Sequence, residues 1–215
     1  IEKNRNIGGA TTSVETFEGV AARLSRYSYL VALLPDQIVT DLSLNFTTLS
    51  RTVSSYTPYF DDDGDKGLLI NRTLDEETLQ SLELLTGGPE EAISWSNFYS
   101  SVLEFAGVVA PTMLKPLPTE SEIRELVDPL TWVELVENTL GQTLHDNFFD
   151  DLVKGVVLTD GLIGTFTSAN DYAANICFLY HLIGNGTGEW KVPKGGMGAL
   201  VKELVRVATE SGVEI

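Results

Sequence analysis

Two short segments hold the residue types whose spacing points to chemistry. The first, Ile1-Glu2-Lys3-Asn4-Arg5-Asn6-Ile7-Gly8-Gly9-Ala10-Thr11, sets an acidic residue, then five residues, then a glycine pair. A carboxylate accepts two hydrogen bonds from a vicinal diol, and glycines just beyond it let a ligand approach the backbone with no Cβ in the way. The second, Glu189-Trp190-Lys191-Val192-Pro193-Lys194-Gly195-Gly196-Met197-Gly198-Ala199-Leu200, puts Gly195 and Gly196 where an amphipathic helix begins. Glycines at a helix start leave N–H groups and the positive end of the dipole facing whatever lies opposite. Each segment also has a plainer reading: a flexible turn near a terminus for the first, a strand-to-helix turn packed against protein for the second.

The other reactive side chains form no self-contained constellation. His145 and His181 are the only histidines and neither sits in a zinc-ligand spacing, so no metal site is expected. His181 follows Tyr180 in an apolar helix and reads as a hydrogen-bonded core or cleft histidine. Cys177 lies between Ile176 and Phe178, which points to packing. The run Gly184-Asn185-Gly186-Thr187-Gly188 fails the dinucleotide fingerprint because Glu189 occupies its last glycine position. Asp61-Asp62-Asp63-Gly64-Asp65 fails as a calcium loop: counted from Asp61, the required glycine is Lys66 and the required bidentate glutamate is Arg72, so a hairpin tip is predicted.

The elements that must position these residues follow from periodicity and breakers. The 215 residues carry 14 Lys and Arg against 31 Asp and Glu, a formal charge of −17, with 43% hydrophobic residues. Such a chain folds around a sizeable core, and its charge opposes binding to nucleic acid or an anionic surface. One cysteine fits a reducing compartment, and a cytoplasmic location is expected. No apolar run approaches the roughly 18 residues of a membrane span. Residues 1–19 read as loop, and 27–44 as two short helices joined at Leu34-Pro35. Residues 46–60 with 67–70 read as a β-hairpin. Helices are predicted over 74–85, 90–109, 121–127, 129–137, 143–157, 172–183 and 197–210. The fold class expected is α+β, helix-rich with a small β-hairpin or sheet.

In this order and separation the E-x5-GG and P-x-GG-M segments resemble the phytoene desaturase-like flavoproteins of the amine-oxidase superfamily. The closest likeness is to the branch related to pyridine nucleotide-disulfide oxidoreductase domain-containing proteins. Asp160-Gly161-Leu162-Ile163-Gly164 and Gly186-Thr187-Gly188-Glu189-Trp190 add to it. The resemblance implies that Glu2 binds the FAD ribose, that Gly8 and Gly9 lie along the cofactor, and that Gly195 and Gly196 form a turn close to the flavin. Where relatives of this kind carry arginines after the acid and after the glycine pair, this chain has Asn4 and Ala10. The resemblance further implies residues 1–19 as a stub of a Rossmann-type FAD-binding domain and 20–215 as a substrate-binding or cap domain for an apolar small molecule. A dinucleotide fold places its glycine-rich turn about 20 residues before that acid, and the chain starts one residue before Glu2. An internal fragment, unable to retain FAD without the rest of the FAD-binding domain, is therefore expected. The rival expectation is a stand-alone acidic helical module that binds a protein partner and catalyses nothing.

Overall fold

The computed structural model describes residues 3–25, 27–61 and 64–215, and Glu2 lies outside them. The class is α+β and helix-rich, with three small two-stranded sheets. The chain divides into two compact units, one of residues 52–189 and one of residues 1–51 with 190–215.

The 52–189 unit begins with strands β4 (Val53–Asp61) and β5 (Gly64–Asn71), numbered after the three short strands of the other unit described below. They pair antiparallel out to Asp61 and Gly64, as the hairpin reading predicts, although residues 62 and 63 lie outside those described. The ring of Tyr56 covers Gly67, where a Cβ would lie 2.1 Å from the phenol oxygen. Helix α2 (Glu76–Thr86) seals the outer edge of β5. The N–H groups of Leu69 and Asn71, two residues apart on the strand, donate to Ser81 Oγ (2.7 Å) and Thr78 Oγ1 (2.9 Å), three apart on the helix. Those hydroxyls cover a row of donors that would otherwise template aggregation. Asp75 caps α2 by accepting from Thr78 N–H, and that hydrogen bond, with a second from the Asn71 amide, holds the Asp75 carboxyl below its usual range.

Gly87 ends α2 at φ +80, and α3 (Glu90–Val109) follows Pro89. Its inner face supplies Trp95, Phe98, Val102 and Phe105, which meet Phe148 and Phe178. The ring centroids of Phe98–Phe148 and Phe98–Phe178 lie 5.5 and 5.8 Å apart. Tyr99 stacks 4.6 Å from Trp95; its withdrawal from water, with the nearby Asp160 charge, pushes the phenol well above its ordinary range and keeps it neutral.

Helices α4 (Glu120–Arg124) and α5 (Pro129–Trp132) are short and side-chain capped, α4 by a reciprocal Thr119–Glu122 box. α5 continues into a π-helical turn, Val133–Glu137, closed by Asn138 N–H to Val133 O at 2.8 Å. Asn175 of α8 (Tyr172–Ile183) secures that turn. Its buried amide donates to Leu135 O and Asn138 O and accepts from Leu140 N–H.

The predicted helix over 143–157 is instead two helices, α6 (Leu140–Asn147) and α7 (Asp151–Leu162). A carboxylate from a distant helix makes the break. Glu91 on α3 is fully buried, and its Oε1 accepts from the N–H groups of Phe149 (3.0 Å) and Asp150 (2.6 Å). Asp150 then caps α7 through Leu152 and Val153 N–H.

The other unit holds β1 (Ser13–Glu15), β2 (Arg23–Ser25), helix α1 (Asp36–Asp41), β3 (Thr48–Leu49), β6 (Val192–Pro193) and helix α9 (Met197–Glu210). β1 pairs with β2, so the loop reading of residues 1–19 is corrected for 13–15. Of the two helices predicted over 27–44, the structure contains the second, α1. Residues before Pro35 are drawn into extended pairing instead, Val31 and Lys191 exchanging both backbone hydrogen bonds at 2.9 Å. The buried cluster of this unit is Leu44, Met197 and Leu200, with Val31, Leu34, Val39, Phe46 and Val207 packed on it.

Candidate functional site

The two glycine pairs singled out in the sequence, at opposite ends of the chain, meet in the 1–51/190–215 unit. Gly8 (φ +123) and Gly9 (φ +52) turn the chain into a 3₁₀ turn over Gly9–Thr11, with Thr11 N–H donating to Gly8 O at 2.8 Å and Thr12 Oγ1 to Gly9 O at 3.0 Å. That turn delivers β1. Gly195 (φ +86) and Gly196 (φ +73) turn β6 into α9. A Cβ at Gly8 would lie 2.9 Å from Val201 Cγ2 on α9, and one at Gly196 would lie 3.0 Å from Ser13 Oγ on β1. Both pairs thus combine a left-handed backbone with a close approach, and glycine satisfies both demands.

Two serines that the sequence reading passed over complete the junction. Ser13 and Ser25 are opposite each other in the β1–β2 ladder. Ser25 Oγ accepts from Met197 N–H (3.2 Å) and Ser13 Oγ from Gly198 N–H (2.9 Å), while Ala199 N–H donates to Gly196 O (3.0 Å). The leading donors of α9, expected to face a ligand, are therefore consumed inside the protein. This is the strand-to-helix turn packed against protein that the sequence left as its plainer reading. No spacing rule could reveal the two serines, because a strand ladder from elsewhere in the chain presents them.

Space for a ligand differs among the four glycines. Gly8 faces Val201, Gly195 has Ala199 Cβ 3.4 Å from a Cβ position, and Gly196 faces Ser13. At Gly9, among the described residues, nothing lies within 4 Å of a Cβ position.

In the 52–189 unit, His181 Nδ1 lies 2.9 Å from Asp160 O and 2.8 Å from Cys177 O; two carbonyl partners require Nδ1 to carry the proton. The histidine is hydrogen-bonded as expected. Cys177 Sγ accepts from Thr165 Oγ1 at 3.0 Å, and His145 is exposed on α6. Glu189 lies 3.3 Å from Arg72 and is nearly buried. Among the described residues no group of His, Cys, Asp and Glu can hold a metal ion, and no helix is long and apolar enough to cross a membrane.

No family model matches the chain. An uncharacterized protein of Mycobacterium tuberculosis is 38% identical over 224 residues, spanning all of this chain and 42% of its own length. Pyridine nucleotide-disulfide oxidoreductase domain-containing protein 2 is 25% identical over 244 residues in Rattus norvegicus and 27% over 249 in Mus musculus, again over all of this chain and 42% of the relative. The chain thus spans about two fifths of the length of the curated relatives it matches. The likeness to the two rodent proteins is distant and runs the length of this chain, which supports a broad oxidoreductase-like relationship.

Proposed function

We propose that this chain is the substrate-side portion of a longer FAD-dependent oxidoreductase. The observation that carries the reading is the packing of the two glycine-bearing segments on one another, Gly8 against Val201 and Gly196 against Ser13, with no described residue within 4 Å of a Cβ position at Gly9. That position fits a dinucleotide better than the start of α9 does, because the α9 donors are already taken by Ser13 and Ser25. In this reading Glu2 holds the ribose diol, Gly8 and Gly9 line the cofactor, and Gly195 and Gly196 act by shaping the turn beside it. Bound FAD would supply hydride acceptance from an apolar substrate, and the protein would supply binding and orientation. The names of the rodent relatives support the oxidoreductase class.

The test uses a longer polypeptide matching the length of the relatives. It is expected to purify with the visible absorbance of bound flavin, and Glu2→Ala in that polypeptide should lower FAD occupancy and affinity while apo-protein melting stays unchanged. A longer polypeptide that neither carries nor takes up FAD would sink the assignment, and unchanged affinity in the Glu2 variant would remove Glu2 from the site.

A further inference from the structure

Helix α8 reads Tyr-Ala-Ala-Asn-Ile-Cys-Phe-Leu-Tyr-His-Leu-Ile, without an acidic residue, lysine or arginine. A helix apolar all round is normally covered all round. Its inner face is covered, by Ala174, Phe178 and Leu182 in the core. Its outer face is not: Tyr172 (56% exposed), Ile176 (71%) and Tyr180 (52%) stand one above the other at i, i+4 and i+8. The loop before α8 widens the stripe. Thr165 Oγ1 bonds Cys177 Sγ, which fixes that loop along the flank of the helix, and it carries exposed Ile163 and Phe166. Contiguous apolar surface of this kind marks an interaction site.

Charge selects the occupant. The 52–189 unit holds five Lys and Arg against 23 Asp and Glu, a formal charge of 5 − 23 = −18. Not one Lys or Arg occurs between Lys154 and Lys191, the segment that contains the whole stripe, and Asp171 stands at its start as the cap of α8. Arg72 pairs with Glu189, Arg124 with Glu137 and Lys154 with Asp151 within the unit. An anionic lipid surface or a second copy of so acidic a unit would be repelled, and a cationic partner attracted. Three anchors one turn apart span roughly 12 Å of helix axis, a length that one partner helix matches.

We propose that the outer face of α8 docks a cationic amphipathic helix of a partner protein, its apolar stripe against Tyr172, Ile176 and Tyr180 and its basic flanks toward Asp171 and the surrounding acidic surface of the unit. The surface is independent of the flavin reading.

The probe is a labelled synthetic helix with leucines at i, i+4 and i+8 and lysines elsewhere, beside a scrambled peptide of the same composition, read by fluorescence anisotropy. The ordered peptide is expected to bind at least about tenfold tighter than the scrambled one, and Ile176→Glu to weaken it at least about tenfold. That substitution adds a negative charge, so unspecific attraction to an acidic protein would strengthen under it. Leu84→Glu, at an exposed position on α2, should leave binding unchanged, with melting curves confirming that both variants fold. Equal binding of the two peptides, or undiminished binding by Ile176→Glu, overturns the proposal. So does self-association abolished by Ile176→Glu, flotation with neutral lipid vesicles abolished by it, or loss of peptide binding in a longer polypeptide of the relatives' length, which would show the face covered from within.

Discussion

The 52–189 unit and the 1–51/190–215 unit solve the same problem with different physics. The first buries a continuous apolar core that runs from Leu68 on β5 through Phe98 on α3 to Phe178 on α8, nineteen buried residues among those described. The second has a buried cluster of three, and its strands are two or three residues long. Such ladders are marginal by themselves. What holds them is a set of directional contacts: Ser13 and Ser25 on the start of α9, Glu203 accepting from Asn45 N–H, and Arg206 bonding both Glu203 and Ser43 O. Charge divides the same way, −18 on one unit and 9 − 8 = +1 on the other. The candidate cofactor residues thus sit on the near-neutral unit, where fixed backbone geometry matters more than buried area, and the acidic surface sits on the unit whose core stabilises it.

The largest effect expected is from Phe98→Ala, which empties the centre of the aromatic cluster and should destabilise the 52–189 unit by about 3–5 kcal/mol. Leu200→Ala, in the small cluster, should fall near the low end of its class, about 2 kcal/mol. Chemical denaturation monitored by hydrogen exchange in each unit separates the two, and equal costs would break the contrast between them.

Gly196→Ala combines a left-handed backbone penalty of about 1–2 kcal/mol with displacement of Ser13, so it should also raise exchange at Met197 and Gly198. Gly87→Ala, at φ +80 and ψ 6 with no described residue within 4 Å, should show only the milder left-handed penalty of about 1 kcal/mol, whereas Gly196 at φ +73 and ψ 176 lies in a region kept essentially for glycine. If the two cost the same, neither that backbone difference nor the Ser13 contact adds to the glycine turn. On the same small scale, Asp150→Ala removes the cap that starts α7 and should cost about 1 kcal/mol, with faster exchange confined to Leu152 and Val153.

The least effect, and the one that most sharpens the comparison, is on pH. Glu203 is held below the ordinary carboxylate range by its hydrogen bond to Arg206 and then by Asn45 N–H. A folded pKa below the unfolded one contributes stability that is present above the unfolded value and lost as pH falls through the folded value. Both units should lose carboxylate bonds in acid, Glu203 in one, Asp75 and Glu122 in the other. In the 52–189 unit relief of the self-repulsion of 23 acids opposes that loss. As pH falls below about 4.5, melting should therefore fall first in the 1–51/190–215 unit, and Glu203→Gln should flatten that fall. Simultaneous loss in both units would contradict the separation of charge.

The sequence by itself determined the elements whose signals are local. Helices α2, α3, α8 and α9 lie where apolar spacing and caps put them, because a helix repeats every 3.6 residues and its ends are marked by Asp75, Gly87, Pro89 and Asp171. The β4–β5 hairpin was readable from alternation, and the glycine pairs from their spacing. Tertiary structure alone decided the rest. Glu91 cuts a periodic stretch into α6 and α7 from 58 positions away, since a buried carboxylate must find donors wherever the fold supplies them. Lys191 draws Val31 out of a helical pattern into a bridge, and Ser13 and Ser25 fill the N–H groups that a helix start would otherwise offer a ligand. Hydrogen bonds of that range leave no period in the sequence, because their partners are set by how distant elements come to lie together.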